Sequence, residues 1–163
     1  MKKCRVMFLD VDGVFHSDSS YLKYGQMVDI GAVKLLSKLI VDYNLKVVYS
    51  STWRLGCDAQ MVKDQLAMAG FPPDCLHEDF KTRDLVGENR GELIQEWLNK
   101  HQECENYVIV DDDDDMLESQ KEHFIHVDSV NGFTAKDYYR ARSVFDGYTT
   151  TQCKEHKNCG KIS

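Results

Sequence analysis

No apolar run in this 163-residue chain approaches the roughly 18 residues that a membrane-spanning helix needs, so a transmembrane helix is excluded. There is no basic excess either. Twenty Lys and Arg stand against 27 Asp and Glu, and the net charge of −7 argues against holding nucleic acid by a broad basic face. Contact with one phosphate end stays open, because a bound metal can supply local positive charge. No internal repeat is visible, and the six cysteines (Cys4, Cys57, Cys75, Cys104, Cys153, Cys159) lack the dense spacing of a disulfide scaffold. The start MKKCRVMFLDV has two lysines before apolar residues, yet Asp10 and Asp12 interrupt it too early for a signal peptide, and no small-residue cleavage site follows. It reads as a first strand, and the protein as cytoplasmic.

What is present is an ordinary globular composition, 42% apolar and 29% charged, at a length suited to one domain with a substantial core. The expected division is one domain over 1–145 and a polar, loosely ordered tail over 146–163. The short apolar run Val6 to Leu9 reads as a buried strand and ends in Asp10-Val11-Asp12-Gly13. Residues i and i+2 of extended backbone project to one face, so the two carboxylates can meet. Gly13 then lets the chain turn away. Crowded carboxylates are unfavourable unless something positive sits between them, and a divalent metal with a phosphate fits that description.

Further along, Phe15 to Val28 reads as a polar and aromatic loop or small hairpin. Asp29 is a predicted N-cap for a helix with Ile30, Val33, Leu36, Ile40 and Tyr43 at helical spacing, ended by Asn44. Leu45 to Tyr49 is a second buried strand, followed directly by Ser50-Ser51-Thr52-Trp53-Arg54. The pattern predicts a helix from about Asp58 to Ala69, stopped by Gly70 and Pro72-Pro73. Asp74 to Asn89 has weak periodicity, with a short strand near Leu76. An amphipathic helix over Arg90 to Lys100 carries Leu93, Ile94, Trp97 and Leu98, and Tyr107 to Val110 is the third clear strand, running into Asp111–Asp115. Phe124 to Val127 is a short fourth strand, and Thr134 caps a last helix reaching about Val144.

Strands alternating with helices predict a Rossmann-like, three-layer α/β/α fold with a mainly parallel central sheet. Ligands of such folds sit beyond the carboxyl ends of the strands. All three strong strands end there in chemistry: Asp10/Asp12, Ser50/Ser51 and Asp111/Asp112. A phosphate monoester repels nucleophiles, and Mg²⁺ on oxygen ligands masks its charge. A carboxylate nucleophile would split hydrolysis into two easier steps through an aspartyl-phosphate. A second carboxyl on the same face could protonate the leaving oxygen and later deprotonate water.

These residues resemble the haloacid dehalogenase (HAD) superfamily phosphatases. The family's first motif corresponds to Asp10-Val11-Asp12-Gly13-Val14, its second to Val47-Val48-Tyr49-Ser50, and its fourth to Val110-Asp111-Asp112, with Asp115 at a family-like spacing. Ser51-Thr52-Trp53-Arg54, Arg90-Gly91-Glu92-x-Ile94-x-x-Trp97-Leu98 and Tyr107 to Asp113 are similar to the HAD domains of multidomain RNA-repair proteins, a likeness running from Lys3 to about Ala141. The resemblance implies Asp10 as nucleophile, Asp12 as general acid/base, and Ser50, with Ser51 beside it, as phosphate ligands. It implies Mg²⁺ held by Asp10, the carbonyl of Asp12, and Asp111, Asp112 or Asp115. The family's third motif is usually a lysine; here Arg90, at the start of a helix, and Lys81 both compete for it. Arginine bridges phosphate and carboxylate well.

Too little chain lies between the motifs for a separately folded lid, so the site should be open. Open members of the family act on large substrates, which points to RNA or DNA ends or other phosphorylated partners. A module that binds metal and phosphate without turnover, or a phosphotransferase, would use the same residues. Other readings of the motifs are blander. A calcium loop starting at Asp10 fails because Val14 and Tyr21 stand where oxygen ligands are required. Asp113 and Asp114 are expected at the surface, Trp53 and Trp97 in packing, and Arg54 either on substrate or beside the acidic site. Cys153-x-x-His156-x-x-Cys159 is either a reduced-thiol tail or, with Cys57 or Cys75, a zinc site. No other histidine shows ligand spacing.

Overall fold

The computed structural model describes residues 2–147. Five strands form one sheet in the order β3-β2-β1-β4-β5, with every neighbouring pair parallel. They are β1 (Cys4–Leu9), β2 (Leu45–Tyr49), β3 (Leu76–Lys81), β4 (Cys104–Asp111) and β5 (Phe124–His126). The helices are α1 (Asp18–Tyr24), α2 (Ile30–Tyr43), α3 (Ala59–Ala69), α4 (Arg90–Lys100) and α5 (Ala135–Asp146). No helix among the described residues is long and apolar enough to cross a membrane.

The alternation of β1 decides the layers. Met7 and Leu9 face a core shared with Val47 of β2, Val108 of β4, and Leu36, Leu66 and Tyr138 of α2, α3 and α5. Val6 and Phe8 face the other way, onto Ile94 and Trp97 of α4. Phe8 meets Trp97 edge-on at 5.3 Å between ring centroids, so Trp97 does pack as the sequence suggests. A strand covered on both faces does not alternate strictly between apolar and polar, and for that reason Val6–Leu9, Leu45–Tyr49 (interrupted only by the half-buried Lys46) and Tyr107–Val110 stand out as apolar segments.

The helix ends follow local chemistry. Asp29 accepts from Ala32 N (3.0 Å) and Asp58 from Met61 N (2.9 Å), while Asn44 closes α2 in the left-handed region at φ 51°. Asp137 accepts from both Thr134 N (3.0 Å) and Thr134 Oγ1 (2.9 Å), and α5 runs to Asp146. Two stretches differ from expectation. Phe15 to Val28 is not a loop or hairpin throughout: Ser17 caps α1 by accepting from Ser20 N (3.2 Å), and Gly25 closes it. Ser20 is the one buried residue of α1, so no apolar stripe advertises it. β3 extends to Lys81 at the sheet edge, where its half-exposed polar residues and a register shift between Val47 and Tyr49 of the partner strand hide the pattern. Cys57 and Cys75 form no disulfide among the described residues, and Cys153, His156 and Cys159 lie outside those residues.

At the pole opposite the strand carboxyl ends, His101 closes α4 with one ring nitrogen 2.7 Å from Glu103 Oε1 and the other 2.8 Å from Asp79 Oδ2. Burial alone would lower its pKa, but the hydrogen bonds to the two carboxylates outweigh it and raise the pKa above 6.5. The stability this adds is fully present below the unfolded value and is lost as pH rises through the folded one. His101→Gln should therefore lose most stability relative to the parent at about pH 6, with the gap narrowing by about pH 8. Urea melts of both proteins across that range check this, and a gap independent of pH would contradict it.

Candidate active site

In a parallel sheet of this order, the direction of winding reverses between β1 and β4, and the two following loops part to leave a crevice. Asp10 follows β1, its N–H donating to Val110 O (3.0 Å), and Asp111 is the last residue of β4. Both are buried, Asp111 completely. Carboxylate oxygens of Asp10, Asp111 and the half-buried Asp112 lie within 4.8 Å of one another. Gly13 makes room for this: it turns at φ 76°, and a Cβ there would overlap the Asp112 carboxylate. Burial, then the charge of Asp111, drives the Asp10 pKa well above the ordinary carboxylate value, and Arg90 only partly opposes the rise. Asp111 is likewise raised by burial.

Arg90 is the first residue of α4, and its guanidinium pairs with the Asp111 carboxylate, 3.4 Å from Asp10 Oδ2 and 3.6 Å from Asp113 Oδ2. Burial would weaken its proton, but Asp111 and Asp10 outweigh that and raise its pKa. Its position is fixed through the backbone. Asp115 Oδ2 accepts from Arg90 N (2.9 Å), and Asp115 O accepts from Gly91 N (3.2 Å). Gly91 presses so closely on Met116 and Leu117 that a Cβ would collide with them. The buried Gln120 locks the junction, donating to Gly91 O (2.8 Å) and accepting from Leu117 N (3.0 Å). Asp115 thus caps α4 and is not part of the Asp10/Asp111/Asp112 cluster, while Asp113 and Asp114 are exposed as expected.

Ser50 follows β2, fully buried, with no hydrogen-bond partner for Oγ among the described residues. A buried hydroxyl without a partner is unfavourable, which suits a ligand oxygen arriving there. Ser51 Oγ instead accepts from Trp53 N (3.2 Å), capping the short 3₁₀ turn Thr52–Arg54. Thr82, just after β3, is a second buried hydroxyl without a partner, in a segment whose weak periodicity gave no signal.

Lys81 is not brought to the carboxylates. Its amino group donates to Cys57 O (2.9 Å) and pairs with Asp84 (2.8 Å). Arg54 lies near enough to the acidic site to feel the charges of Arg90 and Asp10, and its buried guanidinium donates to the carbonyls of Ser51 (2.9 Å), Ser50 (3.3 Å), Arg83 (3.1 Å) and Leu85 (3.2 Å), clamping the turn after β2 to the loop after β3.

Asp12 differs in kind from Asp10, with its side chain 66% exposed. Trp53 does not simply pack. Its Nε1–H donates to Asp12 Oδ2 (2.9 Å), and His16 Nδ1, buried and unpartnered, lies 3.8 Å from Asp12 Oδ1. Both contacts escape a reading of the sequence; the only available signal was that Trp53 lies in the turn leaving a strand end already rich in hydroxyls.

The arrangement can hold a cation among hard oxygens, offer one buried carboxylate to a phosphorus atom, and move a proton through a second, solvated one. Comparison with known families agrees with this geometry. Residues 6–138 match the family described as the HAD domain in Swiss Army Knife RNA repair proteins. No curated protein and no solved structure matches the chain. With its three motifs on one sheet end and most of its length matched, the chain belongs to the HAD domain family of Swiss Army Knife RNA repair proteins.

Proposed function

We propose that this protein is a Mg²⁺-dependent phosphomonoester hydrolase acting through an aspartyl-phosphate on Asp10, with the terminal phosphate of a polynucleotide as its substrate. The observation that carries this reading is the meeting of three carboxylates within 4.8 Å at the crevice between β1 and β4. Such a set, oxygen-only and partly buried, suits a small hard cation. Asp10, Asp111, Asp112 and the Asp12 carbonyl would hold Mg²⁺, which supplies charge neutralisation of the phosphoryl oxygens.

The chain's own residues do the rest. Asp10 attacks phosphorus, the ester P–O bond breaks, and the leaving oxygen takes the proton of Asp12. Asp12, now a carboxylate, takes a proton from water; the resulting hydroxide attacks the phosphoryl group, and the Asp10 acyl-phosphate P–O bond breaks to release inorganic phosphate. Ser50 Oγ donates to a phosphoryl oxygen, and Arg90 restrains the charge of Asp10 and Asp111. The large end of a nucleic acid fits because the chain between β1 and β2 folds as α1 and α2, with no separate lid among the described residues. The family's printed link to RNA repair supports the same substrate. A net charge of −7 favours contact limited to an end over a long bound duplex.

Phosphate release from p-nitrophenyl phosphate should need Mg²⁺, be abolished by EDTA, and fall by at least about 10³-fold in Asp10→Asn. Equal activity of parent and variant would sink the covalent mechanism, and metal binding without any turnover would leave a binding module. RNA and DNA oligonucleotides with 3′- or 5′-phosphates, set beside phosphopeptides, decide the substrate. In EDTA the same Asp10→Asn change should stabilise the fold by at least about 1 kcal/mol, because it removes one of two crowded, buried like charges. Arg90→Ala should lower kcat by about 100-fold, and Lys81→Ala by no more than about threefold. The reverse order would assign the third motif to Lys81.

A further inference from the structure

Burial fixes Asp10 and Asp111, but it cannot fix Asp12. A carboxylate two-thirds exposed has several rotamers open to it, and a proton carrier must be aimed to be useful. Among the described residues, the one side-chain hydrogen bond that orients Asp12 comes from Trp53 Nε1 to Oδ2, at 2.9 Å.

That donor is held in place from several sides. Trp53 sits in the turn Thr52–Arg54, with its own N–H bonded to Ser51 Oγ (3.2 Å). The neighbouring Arg54 ties the turn to the backbone at Ser50, Ser51, Arg83 and Leu85. The indole meets the His16 ring edge-on, 5.1 Å between centroids, and His16 is joined to Asp12 by a backbone bridge. The contact therefore links the loop leaving β1 to the turn leaving β2.

We propose that Trp53 is a positioning residue for Asp12, an inference that rests on the phosphatase reading above. An indole N–H only donates, so it needs a lone pair on Oδ2. In a protonated carboxyl the carbonyl oxygen is the better acceptor, and the proton is thereby placed on Oδ1. Trp53 selects both the rotamer of Asp12 and the oxygen that hands the proton to the leaving group. Without the indole, Asp12 keeps its place in the chain and loses its aim.

Leaving groups distinguish this role from packing. p-Nitrophenolate departs without a proton, whereas phenolate, a much poorer leaving group, depends on general acid help. Trp53→Phe keeps an aromatic ring and removes the N–H. Its kcat on phenyl phosphate should fall about tenfold more than on p-nitrophenyl phosphate, the size of one hydrogen bond to a charged group, with KM for both little changed. Asp12→Asn should show the same preference, more strongly. Equal losses on the two substrates, or no loss on either, would overturn the proposal.

A second measurement needs no turnover. The protein has two tryptophans, so the indole N–H signal missing from Trp53→Phe in a ¹⁵N correlation spectrum identifies Trp53. Asp12→Ala should move that signal and leave the Trp97 indole, bonded to Asp79 O at 3.0 Å, in place. An unmoved Trp53 signal would overturn the contact itself. Failure of the parent to hydrolyse either ester would count against the phosphatase reading, while the spectrum still decides the contact.

Discussion

The guanidinium of Arg90 against Asp111, with Asp10 3.4 Å away, is the interaction around which the rest of the molecule is arranged. Two unit charges about 4 Å apart repel by roughly 4 kcal/mol at the effective dielectric of a protein surface, and by more when buried. Asp10 and Asp111 are buried at the ends of adjacent strands, so the fold alone would push them apart or keep a proton between them. One guanidinium relieves part of that repulsion. Burial first, and then the repulsion that remains, keep the Asp10 pKa raised, so a further positive charge there would be favourable.

Much of the surrounding structure serves to put that guanidinium there. Asp115 holds the first N–H of α4, Gly91 lets the helix start touch the connection after β4, and Gln120 bonds both sides of the junction. These residues touch no carboxylate of the cluster, yet each fixes where Arg90 begins. Arg54 plays the matching part on the other side of β1. By collecting four carbonyls it holds the turn after β2, and with it Ser50 and Trp53, at the same end of the sheet. The site is thus built on backbone anchors, and its charged groups need not also hold the chain together.

This division of labour explains what the sequence revealed. Val6–Leu9, Leu45–Tyr49 and Tyr107–Val110 are legible because strands covered on both faces read as mainly apolar runs, with Lys46 the one interruption, and Asp10, Ser50 and Asp111 are legible because each follows one. The anchors leave no such trace. Nothing local in Trp53 or Arg54 announces a carboxylate 41 residues away or carbonyls on another loop. Asp115 belongs to an acidic run whose members look alike in sequence; only the approach of α4 makes it a cap while Asp112 joins the cluster. α1 was invisible for a different reason: it buries little and so carries no periodic signal.

The group that meets the carboxylate cluster from the start of α4 is an arginine, not a lysine. A lysine is a point charge, best suited to bridging two oxygens in a tight site. The guanidinium here spreads over three carboxylates, pairing with Asp111, lying 3.4 Å from Asp10, and reaching 3.6 Å toward the exposed Asp113. That wider reach goes with the wider acidic run, because β4 ends on the first of five successive aspartates, Asp111 to Asp115. A planar, always-charged group can hold the inner members of such a run while its outer edge stays solvated. The extra acids and the arginine are then one adaptation: each is tolerable at this strand end because the other is present.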